Sequence, residues 1–386
     1  MRSIILLSAI FAFSSPSLYA EDFVVGGVLP LTGPTADYGQ AMVNSITLAR
    51  EEHPELFSRL KFVFEDAQYS NSLAVTAFQK LRTQDRAEMI YTWGVGFCQA
   101  LAPLAEQDKL PTVGQCIDPD SSRGKTFFIR FMNPVGDYLS LQTQYLAFRN
   151  AKNIGVVLAD SSYLELMVKS LESSLLPGQH LEIIQRYSVN NMDLRDSLAK
   201  IRNRKFDAVG VFLSAGQISS FYKLRSQQKI EVPTFGTNFF ESLSEVQSAN
   251  ELMDGAVYVN NIVDPGFSAR YEKRFGMATQ LAFGAPAYEF ALQLARLTQG
   301  EAPGQIGGIS ILQKLKNLGR IDVSSAGPYK FETSSDAGGF FAFPLSVKMV
   351  CGNSFIELSR DRWRFNNCID AVGQKNWGQF PLSPIS

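Results

Sequence analysis

The chain has 386 residues, 45% apolar and 19% charged, the composition of a globular protein of two or three domains rather than a disordered or fibrous one. Lys and Arg total 36 and Asp and Glu 37, a formal net charge of −1, which argues against a dedicated nucleic-acid binder. The only histidines, His53 and His180, read as solvated residues at a helix end and in a turn, so a His-rich metal site is excluded and a Ser/His/Asp triad has only two candidate bases.

Residues 1–20 (MRSIILLSAIFAFSSPSLYA) combine Arg2, a short apolar run from Ile4 to Phe13, a Ser-Ser-Pro break and a small residue, Ala20, before Glu21-Asp22. That pattern reads as a secretory signal peptide, too short to span a bilayer, and a periplasmic address follows from it. No cysteine lies near the proposed cut, so no lipid anchor is expected. No later run approaches 18 apolar residues, and no membrane-embedded segment is expected.

Phe23–Leu31 is nearly all apolar, as a strand buried on both faces should be. Helical spacing follows over Ala36–Arg50, a strand over Leu60–Glu65, a helix over Ser72–Leu81 and a strand over Met89–Trp93. Gln99–Gln107 reads as a helix, with strands at Pro111–Gly114 and Thr126–Phe131. The alternation then restarts: helix Tyr138–Asn150, strand Asn153–Ala159, helix Leu164–Leu176, strand Leu181–Tyr187, helix Met192–Arg202, strand Asp207–Leu213, helix Ile218–Gln227, and short strands at Thr234–Gly236 and Ala256–Asn260. Helices are predicted over Phe267–Gly276, Ala287–Thr298 and Ile309–Leu318, and an antiparallel ending over Pro328–Phe331, Leu345–Val350 and Ser354–Leu358. Two successive βα units of similar size predict an α/β protein of two lobes, each a parallel sheet flanked by helices, with ligands bound beyond the carboxyl ends of the strands.

Four cysteines admit three pairings. The sequence-local one joins Cys98 to Cys116 and Cys351 to Cys368, the latter bracketing a Gly352-Asn353 turn; buried free thiols are the alternative. No dinucleotide turn, phosphate loop, zinc spacing or paired-acid constellation is present, so neither a cofactor nor enzymatic chemistry is expected.

Gly26–Ala49 (GGVLPLTGPTADYGQAMVNSITLA), Glu65-Asp66, Phe128-Ile129-Arg130, Asp160-Ser161-Ser162-Tyr163, Asp193 with Asp207, Tyr288-Glu289 and Gly327-Pro328-Tyr329-Lys330-Phe331 occur in a telling order. Together they resemble the type I periplasmic solute-binding proteins of ABC importers, in the branched-chain amino-acid group. The resemblance implies two Rossmann-like lobes joined by a three-segment hinge, with crossings near Asp137, Asn261 and Pro328. It divides the chain into an N-terminal lobe of 21–137 plus 262–327, a C-terminal lobe of 138–261 plus 328–368, and a tail of 369–386. The implied protein is a monomer that takes a small-molecule ligand between its lobes and delivers it to an inner-membrane ABC permease. A sensor of the same fold, docking on a receptor or regulator, is the alternative.

By the same resemblance, Tyr38 matches a first-loop tyrosine and Tyr163 a second-lobe tyrosine. Trp93 and Phe97 belong to the glycine-containing loop after the third strand. Cys98 stands where the family has a carboxylate-binding serine. Gln115, Cys116 and Ile117 stand where it has Ala and Thr contacts, and Asn238 where it has an acid for the ligand ammonium. Glu241 either substitutes for that acid, caps, or faces water. Phe239 and Phe240 either wall the ligand or pack the cleft floor. Loss of both the serine and the acid weakens a zwitterion clamp, while the rings favour a flat or apolar ligand body, amino acid-like or aromatic.

Overall fold

The computed structural model of the protein describes residues 23–276, 279–299, 307–365 and 367–372. The leader expected over 1–20, and the tail expected over 369–386 beyond its first turn, lie outside them.

The first lobe alternates β1 (Phe23–Leu29), α1 (Ala36–Glu52), β2 (Leu60–Asp66), α2 (Asn71–Thr83), β3 (Met89–Trp93), α3 (Val95–Asp108), β4 (Thr112–Gln115) and β5 (Phe128–Arg130). The chain then crosses to α4 (Val135–Phe148), β6 (Asn153–Ala159), α5 (Ser162–Ser173), β7 (His180–Tyr187), α6 (Arg195–Asn203), β8 (Ala208–Phe212), α7 (Gln217–Gln227), β9 (Thr234–Gly236), α8 (Leu243–Ala249) and β10 (Val257–Asn261). It returns through α9 (Pro265–Phe275), α10 (Leu281–Gln299) and α11 (Gly308–Lys316), and ends in β11 (Lys330–Ser334), β12 (Gly338–Ala342), β13 (Leu345–Cys351), β14 (Ser354–Leu358) and α12 (Cys368–Val372). One seven-stranded sheet runs β11-β12-β5-β4-β3-β1-β2, the other β14-β13-β10-β9-β8-β6-β7. Pairs among β1–β5 and among β6–β10 are parallel, and among the named strands of the described residues the antiparallel pairs are those where β11, β13 and β14 join. The fully buried runs of β3 and β8 are what a sheet covered on both faces requires.

The structure corrects the expected lobe boundary at the third crossing. Segment 328–342 does not join the second lobe: β11 and β12 extend the first sheet, with Phe340 beside Arg130 of β5. Arg130 provides the reason. It is fully buried, and its guanidinium donates from Nε to Ser122 Oγ and from Nη2 to the Ala337 carbonyl, each at 2.8 Å, while lying over the Phe340 ring. Burial lowers its pKa to about 10. Gly338, at φ +65°, brings the hairpin so close that a Cβ there would stand 2.1 Å from the Ser122 carbonyl oxygen. Phe341 and Phe343 complete the anchoring against Phe131. The third crossing therefore falls at Phe343-Pro344.

All three crossings are tied together. The Phe343 N–H donates to Asn133 Oδ1 at 2.9 Å, joining the third to the first. The Ile262 N–H donates to the Pro344 carbonyl at 3.1 Å, joining the second to the third. Tyr138 Oη donates to Asn261 Oδ1 at 2.9 Å, linking α4 to the end of β10.

Candidate functional site

A cavity lies between the lobes at the carboxyl ends of their strands, where open parallel sheets place ligands. The first lobe contributes Tyr69 from the β2–α2 loop, Trp93, Gly94 and Val95 from the β3–α3 junction, Gln115, Cys116 and Ile117 from the end of β4, Met132 and Phe283. The second contributes Tyr138, Tyr163, Met167, Asn238, Phe239, Val259 and Asn260.

The β3–α3 junction is shaped by Gly94, whose φ of +94° lets strand pass directly into helix. A Cβ at Gly94 would meet the Tyr69 ring at 2.6 Å, so glycine also makes room for that ring. Gly94 gives α3 no side-chain cap, and the first-turn N–H groups of a helix have no partner within it. This helix start thus offers N–H groups and the positive end of a dipole to the cavity. A disulfide between Cys98 and Cys116 binds the first turn of α3 to the end of β4; the second bridge, Cys351–Cys368, lies in the other lobe.

Rings form the walls. Tyr38 stacks on Trp93 with centroids 4.6 Å apart and meets Phe239 of the other lobe at 6.3 Å. Phe283 closes edge-on against Trp93 at 5.7 Å, and Tyr163 packs on Phe239 at 4.9 Å. Tyr163 Oη donates to Asn238 Oδ1. Burial pushes the hydroxyls of Tyr38, Tyr138 and Tyr163 above the ordinary tyrosine value, so all three stay neutral. No Asp, Glu, Lys, Arg or His is among the described residues that line the cavity.

Glu241 neither substitutes for the missing acid nor faces water. It is buried, 3.0 Å from Lys348 Nζ, and accepts from Tyr258 Oη at 3.0 Å. Its charge is neutralised inside the second lobe. Among the described residues no cluster of three or more His, Cys, Asp or Glu could hold a metal, and no helix is long and apolar enough to cross a membrane.

Residues 23–339 match the family model described as periplasmic binding protein. The chain belongs to the periplasmic binding protein family. That family is one of binding proteins rather than enzymes. No curated protein sequence matches this periplasmic binding protein. Its fold is shared with a leucine-binding protein from Thermotoga maritima (TM-score 0.76, 16% identity, 87% of this chain and 97% of that one). It is also shared with a branched-chain amino-acid transporter substrate-binding protein from Streptococcus pneumoniae in complex with isoleucine (0.75, 17%, 87% and 98%). A third likeness is an ABC transporter solute-binding protein from R. palustris in complex with benzoate (0.74, 19%, 88% and 96%).

Of the residues singled out by sequence, the structure brings Trp93, Gln115, Cys116, Ile117, Tyr163, Asn238 and Phe239 of the binding protein to the cavity wall. Tyr38 is not among the lining residues; it stacks on Trp93, which is. Phe97 and Cys98 are fully buried outside the lining, because α3 begins at Val95, four residues before the predicted start, and helical rotation turns both away. Phe240 packs against Tyr222 and Tyr258 in the second lobe. Neither histidine lines the cavity: His53 meets Tyr288 Oη at 3.2 Å and His180 opens β7.

Sequence reasoning missed Tyr69, Met132, Tyr138, Met167, Val259, Asn260 and Phe283. Tyr69 carries a faint signal, since it lies in the short segment between the predicted strand Leu60–Glu65 and the predicted helix Ser72–Leu81. Phe283 was hidden by Pro286, which reads as a helix breaker but lies within the second turn of α10.

Proposed function

We propose that this protein is the solute-capturing component of an ABC importer in the periplasm, and that its ligand is a small aromatic carboxylate without an ammonium group. One observation carries the reading: among the described residues the cavity wall holds six aromatic rings and no charged side chain. A buried ammonium without a carboxylate partner is costly, and the acid nearest the expected place, Glu241, is already paired with Lys348. A carboxylate needs no cationic side chain if the uncapped start of α3 receives it. A flat ring then lies among Trp93, Phe239 and Phe283. The benzoate complex of the R. palustris protein supports an aromatic acid, and the leucine and isoleucine proteins share the same fold at similar distance. The partner is an inner-membrane permease, which receives the ligand from the closed protein.

Calorimetric titration of refolded, ligand-stripped protein with benzoate, leucine and phenylalanine tests this. Benzoate is expected to bind, leucine and phenylalanine at least about ten-fold more weakly for want of an ammonium partner. Tight binding of either amino acid with no response to benzoate overturns it.

A further inference from the structure

The cavity contains two buried amide side chains, Gln115 and Asn260, each with one atom unmatched. Both residues line it, at 1% and 0% exposure. Gln115 Nε2 donates to the Phe283 carbonyl at 3.0 Å. That oxygen can only accept, so the nitrogen must face it and Oε1 must be the free atom. Asn260 Oδ1 accepts from the Asn261 N–H at 2.9 Å. That group can only donate, so the free atom of Asn260 is Nδ2. Among the described residues neither Gln115 Oε1 nor Asn260 Nδ2 has a hydrogen-bond partner. The lining residues thus hold one unpartnered neutral acceptor from the first lobe and one unpartnered neutral donor from the second.

The proposed carboxylate matches only half of this pair. Its oxygens can accept from Asn260 Nδ2, but a carboxylate has no hydrogen to give Gln115 Oε1. Bound benzoate would leave that oxygen buried and unpaired, which sites built around a hydrogen bond penalise strongly. We infer that the natural ligand carries, besides its carboxylate and ring, a neutral hydrogen-bond donor, a hydroxyl or an amide N–H, that Gln115 Oε1 accepts while Asn260 Nδ2 donates to a ligand oxygen. Gln115 and Asn260 are then specificity-determining residues, and because they belong to different lobes, only the closed protein satisfies both. The inference rests on the aromatic-acid reading.

The test measures affinities of the refolded protein for benzoate, its three monohydroxy isomers and 4-carbamoylbenzoate. At least one donor-bearing acid is expected to bind about ten-fold or more tighter than benzoate, the usual consequence of pairing a buried acceptor. Gln115→Met should reduce that ratio to within about two-fold. Asn260→Asp keeps the acceptor that Asn261 needs and removes the donor, so it should weaken every acid that wild type binds. If wild type binds benzoate as tightly as all the donor-bearing acids, this inference fails and the aromatic-acid reading survives. If wild type binds none of the five acids, that reading fails and the inference with it. The wild-type ratio decides the matter even where a variant does not fold.

Discussion

Asn261 Nδ2 donates to the carbonyl oxygen of Ala282 at 3.1 Å, the oxygen that Pro286, four residues on, leaves without a helical donor. The other end of the same amide accepts from Tyr138 Oη. One buried side chain at the second crossing therefore completes α10 of the first lobe and holds α4 of the second. Asn261→Leu removes both bonds and leaves a carbonyl and a hydroxyl buried without partners. A loss of about 2–4 kcal/mol in unfolding free energy is expected from urea denaturation. A loss under about 0.5 kcal/mol would mean that the freed groups find water or another donor.

The Glu241–Lys348 pair is buried in the second lobe, with Tyr258 as its third member. Removing one ion strands the other charge. Lys348→Met is expected to cost about 3–5 kcal/mol, whereas Lys348→Met combined with Glu241→Gln should recover most of that loss. A double variant no more stable than Lys348→Met would refute the charge argument. Ligand affinity in whichever variants fold should remain within about two-fold, because the pair is absent from the cavity wall.

Much of this architecture can be read in the chain because parallel strands are written as apolar runs, such as Phe23–Leu29 and Asn153–Ala159, and the intervening helices carry their own period. Three features resist that reading for separate physical reasons. The strand Gly338–Ala342 opens with two glycines, a turn signal locally, and becomes a strand because Arg130 and Ser122 hold its hairpin from two hundred residues away. Helix α10 contains a proline whose missing N–H donor to the Ala282 carbonyl is replaced by Asn261. Cavity residues at or just beyond the ends of predicted strands, Trp93, Gln115 and Asn238 among them, are accessible to motif reasoning. Asn260 and Phe283 are not, since nothing local distinguishes a buried Asn at a strand end or a Phe in a helix from packing.

Both disulfides close loops of similar size but should differ in their effect on binding. Their sequence separations are 18 and 17 residues, so the loss of either should cost about 2–4 kcal/mol by chain entropy. Cys98–Cys116 joins two elements of the cavity wall, while Cys351–Cys368 joins β13 to α12. Cys98→Ala/Cys116→Ala is expected to lower both the thermal midpoint and the affinity for the best aromatic acid. Cys351→Ala/Cys368→Ala should lower the midpoint alone. Equal affinity losses in the two variants would show that general loosening, not the position of the bridge, governs the site.

Tyr69 stands at the mouth of the cavity, 37% exposed, with its ring 5.4 Å from Trp93 and 5.3 Å from Phe97. The loop holding it is set by Asp66, whose carboxylate accepts from the N–H groups of Leu31, Thr32 and Gln68 and from the Thr32 hydroxyl. That arrangement places Gln68 and Tyr69 at φ +49° and +55°, a conformation costing about 1–2 kcal/mol for an L side chain other than glycine, Asn or Asp. A ring so placed would cover a ligand in the cavity without anchoring the core. Tyr69→Ala should raise the dissociation rate about five-fold, the equivalent of about 1 kcal/mol of lost ring contact, and leave the association rate nearly unchanged. Tyr69→Gly loses the same ring but relieves the backbone, so it should dissociate ligand equally fast and unfold at a higher temperature than Tyr69→Ala. Stopped-flow dissociation and thermal melts of both variants separate the two effects. Unchanged dissociation in both would place the ring outside the ligand's path, whatever the melts show.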